Sequence, residues 1–107
     1  MADFEKDYGY VPGSYAMQAY DAARLIDSAV RAVAGKLEDK DALRAAIKRA
    51  DFKSVRGAFA FNSNGFPVQD FYLVKVAKRQ DGKFQTEIVE KVFTAAADSH
   101  AAECPLK

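Results

Sequence analysis

The sequence contains a single cysteine and a single histidine in 107 residues, and each scarcity excludes something. Cys104 alone cannot close an internal disulfide, so no disulfide framework supports the fold. His100 is the one residue that any Ser–His or Cys–His catalytic pair would have to use. His100 and Cys104 are four residues apart and would share a helix face, as two metal ligands do, yet the tail offers too few further ligands for a site. Charge of one sign is also missing. Sixteen Lys and Arg balance fifteen Asp and Glu, a net charge of +1, without the basic stripe of a dedicated nucleic-acid binder. No stretch approaches the ~18 consecutive apolar residues of a membrane span. The segment Met1-Ala2-Asp3-Phe4-Glu5-Lys6-Asp7 has neither the basic nor the apolar region of a signal peptide. Gly35, Gly57 and Gly65 stand alone, so neither a phosphate loop nor a dinucleotide fingerprint is present. The expectation is a protein without a cofactor or a catalytic site, and not an enzyme.

What is present is half hydrophobic residues, 20 of them alanine, in the size range of one domain. Residues 3–13 read as the end of a helix and a connector, with Gly9 suited to a left-handed C-terminal position and Pro12 preventing resumption. Such a start gives the expectation of a single partial domain over residues 1–107. Ser14 to Gly35 predicts a long helix with Ser14 as its N-cap. Asp21, Arg24, Asp27 and Arg31 form one charged stripe on it. The remaining arc, from Ala16, Met17 and Tyr20 to Leu25, Ile26 and Val33, is wider than a surface helix needs, so it calls for partners on more than one side. Met17 and Tyr20 lie in that arc and are expected to pack.

Leu43, Ala46, Ile47 and Ala50 give a shorter helix from about Lys40, with Asp39 at its N-cap and Lys48-Arg49 at its negative end. After Phe52 the period changes to two. Gly57 to Asn62 alternates as a strand with Phe59 and Phe61 on one face. Asn62-Ser63-Asn64-Gly65 is a turn, Gln69 to Lys78 a second strand, Asp81-Gly82 a hairpin turn and Lys83 to Val92 a third strand. The alanines after Thr94 suggest a short terminal helix reaching Cys104. The isolated chain is therefore expected to be α+β: a long helix, a shorter helix, three mainly antiparallel strands and a short C-terminal helix.

The segment Tyr8-Gly9-Tyr10-Val11-Pro12, followed by Tyr15-Ala16-Met17-Gln18-Ala19-Tyr20-Asp21-Ala22-Ala23-Arg24-Leu25-Ile26, resembles the C-terminal third of the periplasmic leucine/isoleucine/valine-binding protein family. These are the substrate-binding components of branched-chain amino-acid ABC transporters. The resemblance continues in order through Asp41 to Ala46, Phe52 to Gly57, Phe59 to Asn62, Phe66 to Tyr72, the Asp81-Gly82 hairpin and Ala101 to Cys104.

The resemblance implies that the chain is part of a two-lobed α/β fold that binds a small solute in the cleft between hinged lobes. Periplasmic binding proteins are themselves a type example of such hinge closure. It also implies a periplasmic location, delivery to a membrane permease, and a solute that is an amino acid or another small aromatic or aliphatic carboxylate. By the same resemblance Tyr15, an aromatic residue at the start of the long helix, faces the cleft, and Gln18 one turn on reaches the same face. A phenol offers an apolar face and a polar tip there, beside free helix N–H groups. Gly65 departs from the bulkier residue that close relatives carry, which removes any contact from that spot. With large apolar surfaces and no cover for them, the isolated chain is expected to be a homo-oligomer. The other class of reading is a standalone oligomeric structural or interaction module that has lost solute binding.

Overall fold

A computed structural model describes residues 2–104. The chain runs α1 (Ala2–Tyr8), α2 (Ser14–Ala32), α3 (Lys40–Arg49), β1 (Phe59–Phe61), β2 (Pro67–Lys78) and β3 (Phe84–Ala96). α1 ends as its glycine demands: the Gly9 N–H donates to the Glu5 carbonyl at 2.8 Å with φ at +76°. α2 begins one residue earlier than expected. Gly13, in extended conformation, is the N-cap, and Ser14 is the first helical residue, with no side-chain capping bond at this end. The helix is closed at the other end by left-handed Ala34 and Gly35, whose N–H groups donate to the Arg31 and Val30 carbonyls, both at 3.0 Å. α3 starts as the sequence reads. The Asp39 carboxylate accepts from the Ala42 N–H at 3.0 Å, with Lys48 and Arg49 in the last turn.

The three strands form one antiparallel sheet in the order β1-β2-β3. β1 is a short strip opposite Pro67–Gln69, whereas β2 and β3 make a long ribbon closed by the turn at Gly82, φ +83°. The terminal helix expected from Thr94 does not form. Thr94 to Ala96 continue β3, and Ser99 to Cys104 form turns and a bend. Cross-strand hydrogen bonding overrides the helical propensity of the alanines.

α2 packs on α3, and α3 touches β1. Among the described residues the best-buried apolar ones are Ala29, Ala46 and Ala50, and no large side chain is fully buried. Tyr20 and Ile26 on α2 remain 53% and 58% exposed. The expected packing of Tyr20 is therefore not met within this chain, while Met17 is half-buried. The ribbon exposes Phe71, Leu73, Val74, Val76, Phe84, Ile88, Val92 and Phe93 as well.

The accessible surface is 8293 Å², against about 5,900 Å² for a compact chain of 11.8 kDa. The radius of gyration is 16.9 Å, against about 13 Å for a compact chain of this length. The molecule is a slab, 50 × 34 × 16 Å, and only about one layer deep in its short direction. Its apolar faces have the width of a two-layer fold.

Asp39→Ala should lower stability by about 1 kcal/mol in urea unfolding, since it removes a formed cap. Ser14→Ala should change it by well under that, because the Ser14 hydroxyl caps nothing. Equal losses for the two variants would contradict the assignment of both helix starts.

Candidate functional site

Gly9 to Gly13 bring the chain from α1 to α2, and a Cβ added at the N-cap Gly13 would meet nothing within 4 Å. In the first turn of α2 the Ala16 N–H donates to the Gly13 carbonyl at 3.1 Å, while the Ser14 and Tyr15 N–H groups have no acceptor among the described residues. Tyr15 stands beside them, 83% exposed, and Gln18 is exposed one turn further on. Neither side chain has a hydrogen-bond partner among the described residues. The connector before them is also aromatic. Phe4, Tyr8 and Tyr10 cluster with ring centroids 4.6 to 6.5 Å apart, and Tyr8 and Tyr10 remain exposed. Tyr15 and Gln18 are thus both exposed at the N-terminal end of α2.

Two hollows of the surface lie elsewhere. One, of about 370 Å³, is lined by Ile47, Lys48, Phe61, Asn62, Ser63 and Gly65. The other lies at the hairpin tip around Arg79 and Gln85. Neither includes Tyr15, and a cleft with one wall cannot enclose a ligand. Gly65 has φ +79° in a tight turn where the Gly65 N–H donates to the Asn62 carbonyl at 2.9 Å. Its lack of a side chain is thus a backbone requirement of this turn.

Beneath α2 lies a buried carboxylate that the sequence pattern assigned to the charged stripe. Asp21 is only 2% exposed. It accepts from the Ser54 hydroxyl at 2.6 Å, the Val55 N–H at 3.0 Å and the Arg56 Nε at 2.9 Å. Arg56 extends the chain of bonds to Gln69 Oε1 on β2 at 2.9 Å, and its guanidinium lies 5.4 Å from the centre of the Phe59 ring. Burial alone would raise the Asp21 pKa, but the hydrogen bonds from Ser54, Val55 and Arg56 overcome it and hold the carboxyl below its ordinary value. Asp21 is thus an anchor between α2 and the segment that leads into β1. The signal for it in the sequence is its position between Tyr20 and Ala22-Ala23, an acid set among apolar residues.

The tail forms a smaller pin. Asn64, buried, donates through Nδ2 to Asp98 Oδ2 at 2.7 Å and accepts from the Phe66 N–H. His100 sits 3.2 Å from Glu103, and Cys104 is exposed. Among the described residues no group of three His, Cys, Asp or Glu side chains gathers as metal ligands would, and no helix is long and apolar enough to cross a membrane.

Three helices beside a three-stranded antiparallel sheet define an α+β arrangement that matches fragments of periplasmic binding protein folds. Residues 1–83 match the family described as periplasmic binding protein, and the chain belongs to that family. It is similar to the crystal structure of a solute-binding protein of an R. palustris ABC transporter in complex with benzoate, at 35% identity and a TM-score of 0.76. The match covers 90% of this chain and 25% of that one. An ABC transporter substrate-binding protein from Sphaerobacter thermophilus is similar at 28% identity and a TM-score of 0.74, with 86% of this chain and 25% of that one covered. The chain therefore spans a quarter of the length of these proteins. No curated protein sequence matches it.

The buried anchor makes a directional prediction. Because the folded-state pKa of Asp21 is depressed, its stabilisation is fully present above the ordinary carboxylate range, near pH 3.9, and is lost as pH falls through the lower folded value. Asp21→Ala should cost about 3 kcal/mol at neutral pH, because it leaves Arg56 without its buried partner. The variant should also lose less stability than the wild type on acidification, measured by urea unfolding between pH 7 and pH 3. Parallel losses in the two proteins would contradict the role of Asp21.

Proposed function

We propose that this chain forms part of the solute-binding component of an ABC transporter. In this reading it supplies one wall of a cleft between two hinged lobes and works in the periplasm with a membrane permease. The observation that carries the reading is the open start of α2. There, the Ser14 and Tyr15 N–H groups, which have no acceptor among the described residues, lie next to the exposed Tyr15 side chain, an arrangement suited to a carboxylate joined to an apolar or aromatic body. A helix start attracts the anion, the phenol face packs the ligand body, and Gln18 offers a second polar contact one turn on.

The solute is in this reading a small carboxylate. Benzoate, bound by the R. palustris relative, has this chemistry, as do the branched-chain amino acids that the sequence resemblance suggests. Binding proteins do no covalent chemistry on their solutes, which agrees with the poor supply of nucleophiles and bases in the sequence.

The test is a graft. This segment would replace the matching quarter of the R. palustris protein, and the chimera would be titrated with benzoate, leucine, isoleucine and valine by calorimetry and thermal shift. The chimera is expected to fold and to bind at least one of them. Tyr15→Ala should weaken that binding at least about tenfold, the loss expected when an aromatic contact worth about 1.4 kcal/mol is removed. A folded chimera blind to every small carboxylate, or one indifferent to Tyr15→Ala, would overturn the reading.

The uncovered faces favour a second reading for the chain by itself, an oligomeric interaction module that binds no solute. The surface in excess of a compact chain is larger than the ~1,600 Å² of a standard protein–protein interface. Sedimentation of the isolated chain should therefore show association between copies. A monodisperse monomer at high concentration would contradict it.

A further inference from the structure

Ten residues of β2, Gln69 to Lys78, face thirteen of β3, Phe84 to Ala96. The surplus is confined to one stretch. From Lys78 paired with Phe84 back to Val74 paired with Ile88 the ladder is regular, and then the register steps three times, between Leu73 and Val74, between Phe71 and Tyr72, and between Gln69 and Phe71. β3 therefore has one extra residue at Val89, one at Val92 and one at Thr94-Ala95, where Ala95 has φ +48°. Each bulge bends its strand and tightens the twist, and each takes a residue out of the ladder. Three of them within eight residues make a bend and locally weaken the ribbon.

One side chain closes the last bulge. Asp70 Oδ1 accepts from the Ala95 N–H at 2.9 Å, while Oδ2 accepts from the Lys91 ammonium at 2.5 Å and from the Tyr72 hydroxyl at 3.3 Å. The Lys91 ammonium also lies 5.6 Å from the centre of the Tyr72 ring. Four groups from the two strands thus meet at the bend, and the Asp70 side chain is 12% exposed. The Lys91 contact first, then the Ala95 N–H, keeps Asp70 ionised well into acid.

On either side of the bend the molecule is tied together separately. At the far end, Glu5 of α1 binds Arg79 at 2.7 Å and Lys83 at 2.8 Å, and Lys83 also donates to the Gly9 carbonyl. At the near end, Asp21 and Arg56 hold α2 to the segment before β1 and to Gln69, and Asn64 binds Asp98. α1 packs on neither α2 nor α3 among the described residues. The only covalent routes between the two bodies are the connector from Gly9 to Gly13 and the bulged ribbon.

We propose that the bulged part of the β2–β3 ribbon is a flexure between these two bodies, and that Asp70 is the positioning residue that sets its bend. The flexure is a property of the chain whatever solute it meets. The test uses pulsed dipolar spectroscopy on the full chain with Cys104→Ser, labelled at Gln80→Cys beside the hairpin tip and Ala45→Cys on α3, and diluted in unlabelled chain. A narrow distance distribution is expected with Asp70 intact. Asp70→Ala should broaden it while leaving the secondary structure unchanged by circular dichroism. Amide exchange at Ala95 should speed up about threefold to tenfold, the value of one lost hydrogen bond. Lys75→Ala, which removes the Lys75–Glu87 pair from the regular half of the ribbon, should change neither reading. If Asp70→Ala does not fold, Lys91→Met decides instead, since it keeps the Ala95 bond and removes the charge, and it too should broaden the distribution. An unchanged width in the deciding variant, or equal broadening by Lys75→Ala, would overturn the proposal.

Discussion

The buried carboxylate of Asp21 is the interaction on which the arrangement depends. Its three hydrogen bonds, one from the Val55 N–H and two from the Ser54 and Arg56 side chains, fasten a helix to a loop thirty-three residues further on, and through Arg56 and Gln69 to the central strand. Apart from it, α3 is the one element that α2 contacts among the described residues, and the best-buried residues of those two helices besides Asp21 are the alanines Ala29 and Ala46. Small residues bring the helices close but remove little apolar surface from water. The positions where large side chains would normally supply that burial point outward here. A polar anchor thus does the work that a core does elsewhere, and it costs more to break than to replace, because the Arg56 charge remains behind.

The second constraint is the uncovered surface. In a slab only 16 Å deep, the ribbon and Tyr20 and Ile26 of α2 leave large apolar side chains exposed that a second layer would normally cover. Membership of the periplasmic binding protein family explains why the faces are so wide, since similar chains are about four times as long. The same surface is the ground for the association of copies proposed above. Burial, anchor and flexure divide the labour: the near body is set by Asp21, the far body by Glu5, and the bend between them by Asp70.

Much of the fold was legible in the sequence because its signals are local. The Asp39 cap, the Asp81-Gly82 turn and the two-residue repeat of Phe59 and Phe61 all reappear where the pattern placed them. Ser14 was misplaced by one residue because a glycine before it takes the cap position equally well. The alanines after Thr94 read as helix, but the pairing of β3 with β2 and the Asp70–Ala95 bond hold them extended, and neither is visible from local propensity. The alternation of Phe84, Thr86 and Ile88 could be read, yet beyond Ile88 each bulge shifts the parity, so the faces of the ribbon could not be followed further. Tyr15 and Gln18 emerged from a family resemblance and not from their own chemistry, since an exposed tyrosine and glutamine on neighbouring turns carry no spacing signal of their own. Asp21 was read as one of four charges on a stripe because spacing cannot distinguish a solvated acid from a buried one.

The central claim is that the bare faces of α2 and the ribbon are shaped for cover that the chain does not itself provide. Side-chain footprinting by hydroxyl radicals tests it most directly, comparing the isolated chain, kept dilute, with the same segment grafted into the two-lobed R. palustris relative. The account requires Tyr20, Ile26 and Ile88 to react readily in the isolated chain and to become protected in the graft, while Tyr15 stays reactive until a solute is added. Protection of Tyr20 and Ile26 in the dilute monomer would contradict it.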